Sequence, residues 1–237
     1  MKWSLPDDVT PLGDGGLGFV DVLPGATREA LAQLSSIHIE HFGDLYAEAT
    51  QDFQRAWSGG SAAARIIEHQ WLLVLNGVPC GELVFATNLA RRTVSRHFTS
   101  VRKEFRPLMP DRWIPSITRA VSDFCISEAS AQGVELLGMM SEITPKHAAG
   151  WRKFGLYQPD IGFSEPLHGN YWRDFGELQF APMLANILPF PPGRAAGLGV
   201  IAEAGVRAFL LDYYTIPETD PTFLGIIDRC RSLPPAW

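Results

Sequence analysis

The dipeptide Asn76-Gly77 constrains this chain more than any other feature. Both residues tolerate the left-handed backbone of a two-residue hairpin turn, and they separate two apolar runs, His69 to Leu75 and Val78 to Ala86. Two such runs joined by such a turn predict a pair of antiparallel strands. Thr93 to Phe105 continues with apolar or β-favouring residues at alternate positions, which extends the pair to a three-stranded meander. The period then changes. Ile114, Ile117, Val121, Phe124 and Cys125 share one helical face between Trp113 and Gln132, Pro115 falls in the first turn, and Gly133 follows the end. Val134 to Ser141 reads as a short buried strand. Thr144-Pro145 is a cap and first-turn pair that opens a helix stopping at Gly155.

Before the meander, a Gly-, Pro- and Asp-rich arm runs through Gly18. A short strand, Phe19 to Leu23, follows and ends at Pro24-Gly25. Thr27 can cap a helix carrying Leu34, Ile37 and His38, and a second helical stretch, Asp44 to Trp57, ends in Ser58-Gly59-Gly60. The element order is β, α, α, β, β, β, α, β, α. Further strands are expected near Tyr157 to Phe163 and Tyr171 to Phe180. A Pro-rich stretch at Leu188 to Pro192, a helix near Ala195 to Tyr213 and a tail of little periodicity complete the chain. This is an α/β (α+β) pattern: an arm over residues 1–18, a main domain over 19–185, and a C-terminal helical extension over 186–237 packed on the same domain.

A chain of 237 residues with 46% hydrophobic residues has ample material for a core. Its net charge of −6 argues against nucleic acid as a partner. The charge is uneven. Between Arg91 and Arg119 stand Arg91, Arg92, Arg96, Arg102, Lys103, Arg106, Arg112 and Arg119 against Glu104 and Asp111, a basic segment in an acidic protein. It reads either as solvated arginines on edge strands or as a site for a compact polyanion. Cys80, Cys125 and Cys230 are odd in number and match no metal-ligand spacing, so they read as reduced, buried thiols of a cytoplasmic protein. The most apolar late stretch, Ala195 to Leu211, is interrupted by Glu203 and Arg207, which argues against a membrane span.

The element order, with Val101-Arg102-Lys103-Glu104-Phe105-Arg106 and Trp151-Arg152-Lys153-Phe154-Gly155-Leu156, resembles the GNAT N-acyltransferase superfamily over residues 19 to 180. The first motif is similar to that family's strand-four ending, which leads into a pyrophosphate loop. The second is similar to the ending of its helix after strand five. The resemblance implies a mixed, mostly antiparallel central sheet flanked by helices. It also implies an acyl-coenzyme A co-substrate, acetyl or longer, whose binding residues are Val101, Arg102, Arg106, Met109, Asp111, Arg112, Trp113 and Thr144. Two family glycines correspond to Met109 and Asp111, the family's Asn to Thr144, and its proton-donating Tyr to Trp151. Ser95-Arg96-His97-Phe98 also resembles the Ser-Arg-Phe element of acyl-homoserine-lactone synthases, which use long-chain donors.

Acyl transfer to an amine needs a group that takes the amine's proton. Glu142, just past the expected strand, and His147, in the next helix's first turn, are the candidates. An exposed charge at Glu142 and a surface histidine at His147 are the plainer readings. The implied partner is a small-molecule amine, and a homodimer through the acidic C-terminal region is compatible with it. A non-catalytic binding module of the same fold is the rival reading. Gly197-x-Gly-x-x-Ala202 has the letters of a dinucleotide fingerprint, but Pro189, Pro191 and Pro192 precede it where a central strand is required. His38 and His41 have no third ligand at suggestive spacing, so no metal site is expected. The aromatic segment Phe154 to Phe180 reads as core, or as the lining of an apolar pocket.

Overall fold

The structure, a computed structural model, describes residues 9–13, 15–23, 26–59 and 65–234. The Pro24-Gly25 turn, Gly60 and the first eight residues of the arm lie outside the described residues.

The strands are β1 (Thr10–Pro11), β2 (Leu17–Asp21), β3 (Ile66–Leu75), β4 (Val78–Asn88), β5 (Thr93–Val101), β6 (Gly138–Ile143), β7 (Ser164–Pro166), β8 (Phe180–Pro182) and β9 (Leu184–Pro189). The α-helices are α1 (Arg28–Tyr46), α2 (Ala49–Trp57), α3 (Trp113–Ala131), α4 (Ala148–Arg152), α5 (Pro191–Ala196), α6 (Leu198–Arg207) and α7 (Pro221–Arg231). Seven strands form one sheet in the order β1-β2-β3-β4-β5-β6-β9, and β7 and β8 form a separate antiparallel pair. Asn76 and Gly77 take φ of 48° and 83°, the turn that the hairpin requires. The sheet is mixed: β1–β2, β2–β3 and β6–β9 are antiparallel, whereas β5 and β6 run parallel, from Thr93 opposite Gly138 to Arg96 opposite Ser141. A parallel pair needs a long crossover. Helix α3 supplies it, with Ile117, Val121, Cys125 and Ala129 buried along one face.

Several boundaries differ from expectation for physical reasons. β5 ends at Val101 rather than Phe105, because the Phe105 amide turns back to the Arg102 carbonyl. β6 begins at Gly138, where a Cβ would lie 2.6 Å from the Leu188 carbonyl oxygen, so only glycine lets β9 approach. Glu142 therefore lies inside the strand, not past it. The two helices expected after β2 are both present, but α1 runs on through Tyr46, past Asp44 where the second was expected to begin, and α2 begins at Ala49. Tyr171 to Phe175 is 3-10 helix rather than strand, and strand reappears only at Phe180. Leu188 and Pro189 belong to β9, the sheet's last strand, and proline is tolerated at an edge. The tail holds α7, capped by the Asp220 carboxylate, which accepts from the Thr222 and Phe223 amides.

Contacts divide the chain into two compact units: 1–64, 68–85 and 97–121 form one, and 65–67, 86–96 and 122–237 the other. The core of the first packs Leu31, Leu34, Ile37, Phe53, Leu72, Val74 and Phe98. At its centre, His38 Nε2 donates to the Tyr46 carbonyl at 2.9 Å while Nδ1 lies 3.3 Å from Glu82 Oε2, both side chains fully enclosed. A carbonyl only accepts, so Nε2 carries a proton. Ser100 Oγ donates to the other Glu82 oxygen at 3.1 Å. The core of the second unit gathers Met140, Phe163, Ile187, Ile201, Phe209, Tyr214, Phe223 and Ile226. The three cysteines are free and buried, and burial pushes each thiol up to about 12. No helix among the described residues is long and apolar enough to cross a membrane.

Removing one partner of a buried pair strands the other in an apolar core, a loss of about 3–5 kcal/mol. His38→Ala is expected to lose that much in urea unfolding. Leu45→Ala, on the exposed side of α1, is expected to lose less than about 1 kcal/mol. Equal losses would place the His38–Glu82 contact outside the stabilising core.

Candidate functional site

Two clusters of polar chemistry stand out, one in each unit. In the first unit the strand end Val101 opens into a loop over 102–112 that leads to α3. The Val101 carbonyl accepts from Arg106 Nε at 3.0 Å and faces His41 Nε2 at 3.1 Å. The other ring nitrogen of His41, Nδ1, lies 3.0 Å from the Ile37 carbonyl. Both of these oxygens only accept, so each ring contact is made with the nitrogen donating. Arg106 and His41 thus converge on one carbonyl. Arg102 stands nearby, held by Glu40 Oε2 at 3.1 Å and Ser36 Oγ at 3.4 Å.

The path of this loop bears on the two absent glycines. Met109 is extended, with φ −63° and ψ 140°, a conformation open to any residue. The left-handed residue of the loop is Arg112, at φ 60°, immediately before α3. Gly15 of the arm also matters here: at φ 90°, it passes where a Cβ would meet Pro110 at 2.9 Å. The candidates Val101, Arg102, Arg106, Met109, Asp111, Arg112 and Trp113 therefore fall on one continuous strand end, loop and helix start.

In the second unit, the β5–β6 ladder closes at Arg96 opposite Ser141. Arg96 is buried, and burial lowers its guanidinium to about 10. The Trp151 ring covers it at 4.4 Å. Ser141 Oγ accepts from Arg96 and from Asn186 Nδ2, each at 3.4 Å, and Gln158 Nε2 donates to Asn186 Oδ1 at 3.3 Å. Ser95, Arg96 and Phe98, which carry the homoserine-lactone-synthase likeness, are all buried. Burial also pushes His97 down to about 3.

Successive residues of a strand face opposite sides, so Glu142 points away from Ser141. It shares its side with Met140, which packs so closely on Gly205 of α6 that an added Cβ would lie 2.5 Å from the sulfur. Here Tyr214 Oη donates to Glu142 Oε1 at 2.6 Å and lies 3.3 Å from Glu165 Oε2. Glu142 Oε2 is enclosed without a hydrogen-bond partner among the described residues. Burial, then the neighbouring Glu165 charge, hold the Glu142 carboxyl well above the usual carboxylate range, against the opposing Tyr214 bond. Burial and the two glutamates likewise push the Tyr214 phenol well above its ordinary value.

Tyr214 is aimed by an unusual backbone. Ala208–Tyr213 form a π-helical turn that continues α6, a rare conformation concentrated at functional positions. Thr215 then takes φ 54°, costly for a β-branched residue. The 3-10 helix Gly169–Phe175 clamps it: Trp172 Nε1 donates to the Tyr214 carbonyl at 2.9 Å, and the Arg173 guanidinium donates to both oxygens of Thr215.

Of the remaining candidates, Thr144 and His147 come together, with Oγ1 and Nδ1 3.0 Å apart at an exposed helix start. Thr144 makes no side-chain cap to the helix backbone. Glu142 is half-buried, with Oε2 enclosed, rather than an exposed charge, and it meets Tyr214 and Glu165. Sequence reasoning missed both: they lie 72 residues from Glu142 and 49 from Tyr214 respectively, and no local spacing links them. No group of three metal-ligating side chains forms among the described residues.

No family model and no curated protein matches the sequence. Solved structures do match the fold. One, described as a probable acetyltransferase, aligns at 13% identity with a TM-score of 0.50, over 77% of this chain and 97% of its own. Another, a ribosomal α-N-protein acetyltransferase in complex with coenzyme A, aligns at 8% identity with a TM-score of 0.50, over 78% of this chain and 99% of its own. Identities this low speak for architecture alone. That architecture, a mixed, mostly antiparallel sheet whose parallel β5–β6 pair is bridged by α3, is the fold of the GNAT acetyltransferases, and this chain has it.

Proposed function

We propose that this protein transfers an acyl group from acyl-coenzyme A to the amine of a small molecule. The observation that carries this reading is the convergence of Arg106 and His41 on the Val101 carbonyl, at the head of a loop rich in arginine that opens a 19-residue helix. Cations and a helix N-terminus together suit the phosphates of coenzyme A. The loop's path is compatible with that ligand despite Met109 and Asp111, because the one left-handed position is Arg112.

In this reading Val101, Arg102, Arg106, Arg112 and the start of α3 hold the phosphates, with Met109, Asp111 and Trp113 shaping the loop. Thr144 lies at the start of the helix that follows β6. Glu142 takes the proton of the acceptor ammonium. The freed nitrogen attacks the thioester carbonyl, the C–N bond forms as the C–S bond breaks, and the nitrogen gives up a second proton; of the two protons one ends on the departing thiolate and the other is released to solvent. His147, exposed and held by Thr144, is the second candidate for that proton. The buried free thiols fit a reducing, cytoplasmic setting. Trp151 favours a second reading. An indole stacked on Arg96 cannot protonate a thiolate, so a chain of this fold that binds acyl-coenzyme A without turnover is the alternative.

Binding and turnover separate these readings. A ligand at about 100 times its dissociation constant stabilises the folded state by about 2.7 kcal/mol. For a domain of this size each kcal/mol raises the melting point by roughly 2–4 °C, so acetyl-coenzyme A or a long-chain thioester is expected to raise it by about 5–10 °C. No shift with either at millimolar concentration would remove coenzyme A from the reading. Thiol release in the presence of a panel of small amines supports transfer. A melting shift without release supports the binding module.

Arg106→Ala and Arg112→Ala should each weaken acetyl-coenzyme A binding on the order of 10-fold, given about 1.5–3 kcal/mol for a hydrogen bond to a charged group. Calorimetric titration measures this, and unchanged affinity in both variants returns the basic segment to a solvated face.

A further inference from the structure

We propose that Glu165 and Tyr214 are positioning residues that make Glu142 a proton-exchanging group, the three forming one unit that keeps a single carboxyl proton between its two glutamates. As a role in acyl transfer this rests on the reading above, whereas the unit itself stands on geometry.

Three acidic oxygens meet at one point. Tyr214 has one hydroxyl proton, and the 2.6 Å contact commits it to Glu142 Oε1. That proton cannot also serve Glu165 Oε2 at 3.3 Å. Two bare carboxylates this close, with Glu165 buried and Glu142 Oε2 enclosed, repel each other in a medium that screens them poorly. One further proton removes the conflict and gives the enclosed Oε2 a bond to make towards Glu165. The unit then consists of a carboxylic acid, a carboxylate and a phenol. The carboxylate can take a proton from an incoming ammonium, and the acid can return one. The titratable groups facing Glu142 are Glu165 from β7 and Tyr214 at the end of the π-helical turn, while Tyr213 in turn packs on Tyr214 at 4.9 Å between ring centres.

The surrounding backbone maintains this arrangement at a cost. A π-helical turn and a left-handed threonine flank Tyr214, and Trp172 and Arg173, themselves stacked, hold that segment by three hydrogen bonds. A tyrosine placed merely to fill space would need none of this. Each member also comes from a different part of the chain: β6, the β7–β8 hairpin and the C-terminal extension.

The test is carbon-13 NMR of glutamate carboxyls in the folded, full-length protein, with the Glu142 signal assigned by its loss in Glu142→Gln. It needs neither acyl donor nor acceptor. In the wild type the Glu142 midpoint is expected above the ordinary carboxylate range. Glu165→Gln removes the like charge and should move it down, and Tyr214→Phe removes the bond that favours the ionised form and should move it up. A Glu142 midpoint in the ordinary range, or one that Glu165→Gln leaves in place, overturns the proposal. Where an amine is turned over, the acidic limb of kcat/KM against pH should move down in Glu165→Gln and up in Tyr214→Phe. A limb that stays put while the carboxyl signal moves overturns the catalytic role. Absence of turnover with every amine tested counts against the acyl-transfer reading and overturns that role, and the titration still decides whether the unit exists. Should Glu165→Gln unfold, Glu165→Asp, which keeps the charge and withdraws it, should move the midpoint the same way by less.

Discussion

The site depends on four backbone pairs, Thr93 to Arg96 against Gly138 to Ser141. They form the parallel register in a sheet whose other recorded ladders are antiparallel, and a parallel register cannot be closed by a short turn. The chain must leave the end of β5, cross the sheet as α3 and return as β6. Both the basic loop before the helix and the polar residues at the head of β6 are consequences of that crossover. The ladder stops at the pair that places Arg96 beside Ser141, and the side chains there are buried and have to be satisfied. Trp151, Asn186 and Gln158 do so, through a ring face and a chain of hydrogen bonds. Burying a guanidinium is costly, and its depressed pKa shows that part of the cost remains.

The other side of β6 solves a different problem. Met140 and Ile187 join the apolar core built with α6 and α7, and that core leaves Glu142 at its boundary. An isolated carboxylate there would be poorly solvated. Pairing it with a second carboxyl worsens the charge but allows a proton to be shared, so the cheapest state is half-neutralised rather than fully ionised. The sign for stability follows from the raised carboxyl. The folded chain holds a proton that the unfolded chain releases above the ordinary carboxylate range, so this group stabilises fully below that range. Its contribution is lost as pH rises through the folded-state value.

Much of the scaffold was legible because it is encoded locally. Asn76-Gly77 specifies its own turn, and the stripe from Ile117 to Cys125 specifies a helix face. β9 was hidden because Pro189 and the prolines after it signal interruption, which an edge strand tolerates and a central one does not. α7 carried a readable start, Asp220-Pro221, but its short length left the apolar stripe weak. The basic segment was visible as charge, yet nothing local announced that His41, 60 residues earlier, would meet Val101. Glu142 was visible as a candidate, but its environment was not. Its partners come from a hairpin and a π-helical turn, and a π turn shifts residue facing in a way that a 3.6-residue period cannot anticipate.

Of the correspondences that the resemblance implies, Met109 and Asp111 at glycine positions change less than they suggest, whereas Trp151 at a tyrosine position changes more. Glycine is required where a backbone is left-handed or where another group presses on Cα. Met109 is extended, and the left-handed turn has moved to Arg112, so the loop reaches α3 by a route that ordinary residues can follow, with strain of about 1–2 kcal/mol concentrated at one arginine. No such detour replaces a missing hydroxyl. Trp151 is committed to covering Arg96, so under the proposed acyl transfer any proton exchange falls to other groups. Glu142, Glu165 and Tyr214 are acidic groups held together in the second unit, and a π turn and a strained threonine flank the tyrosine.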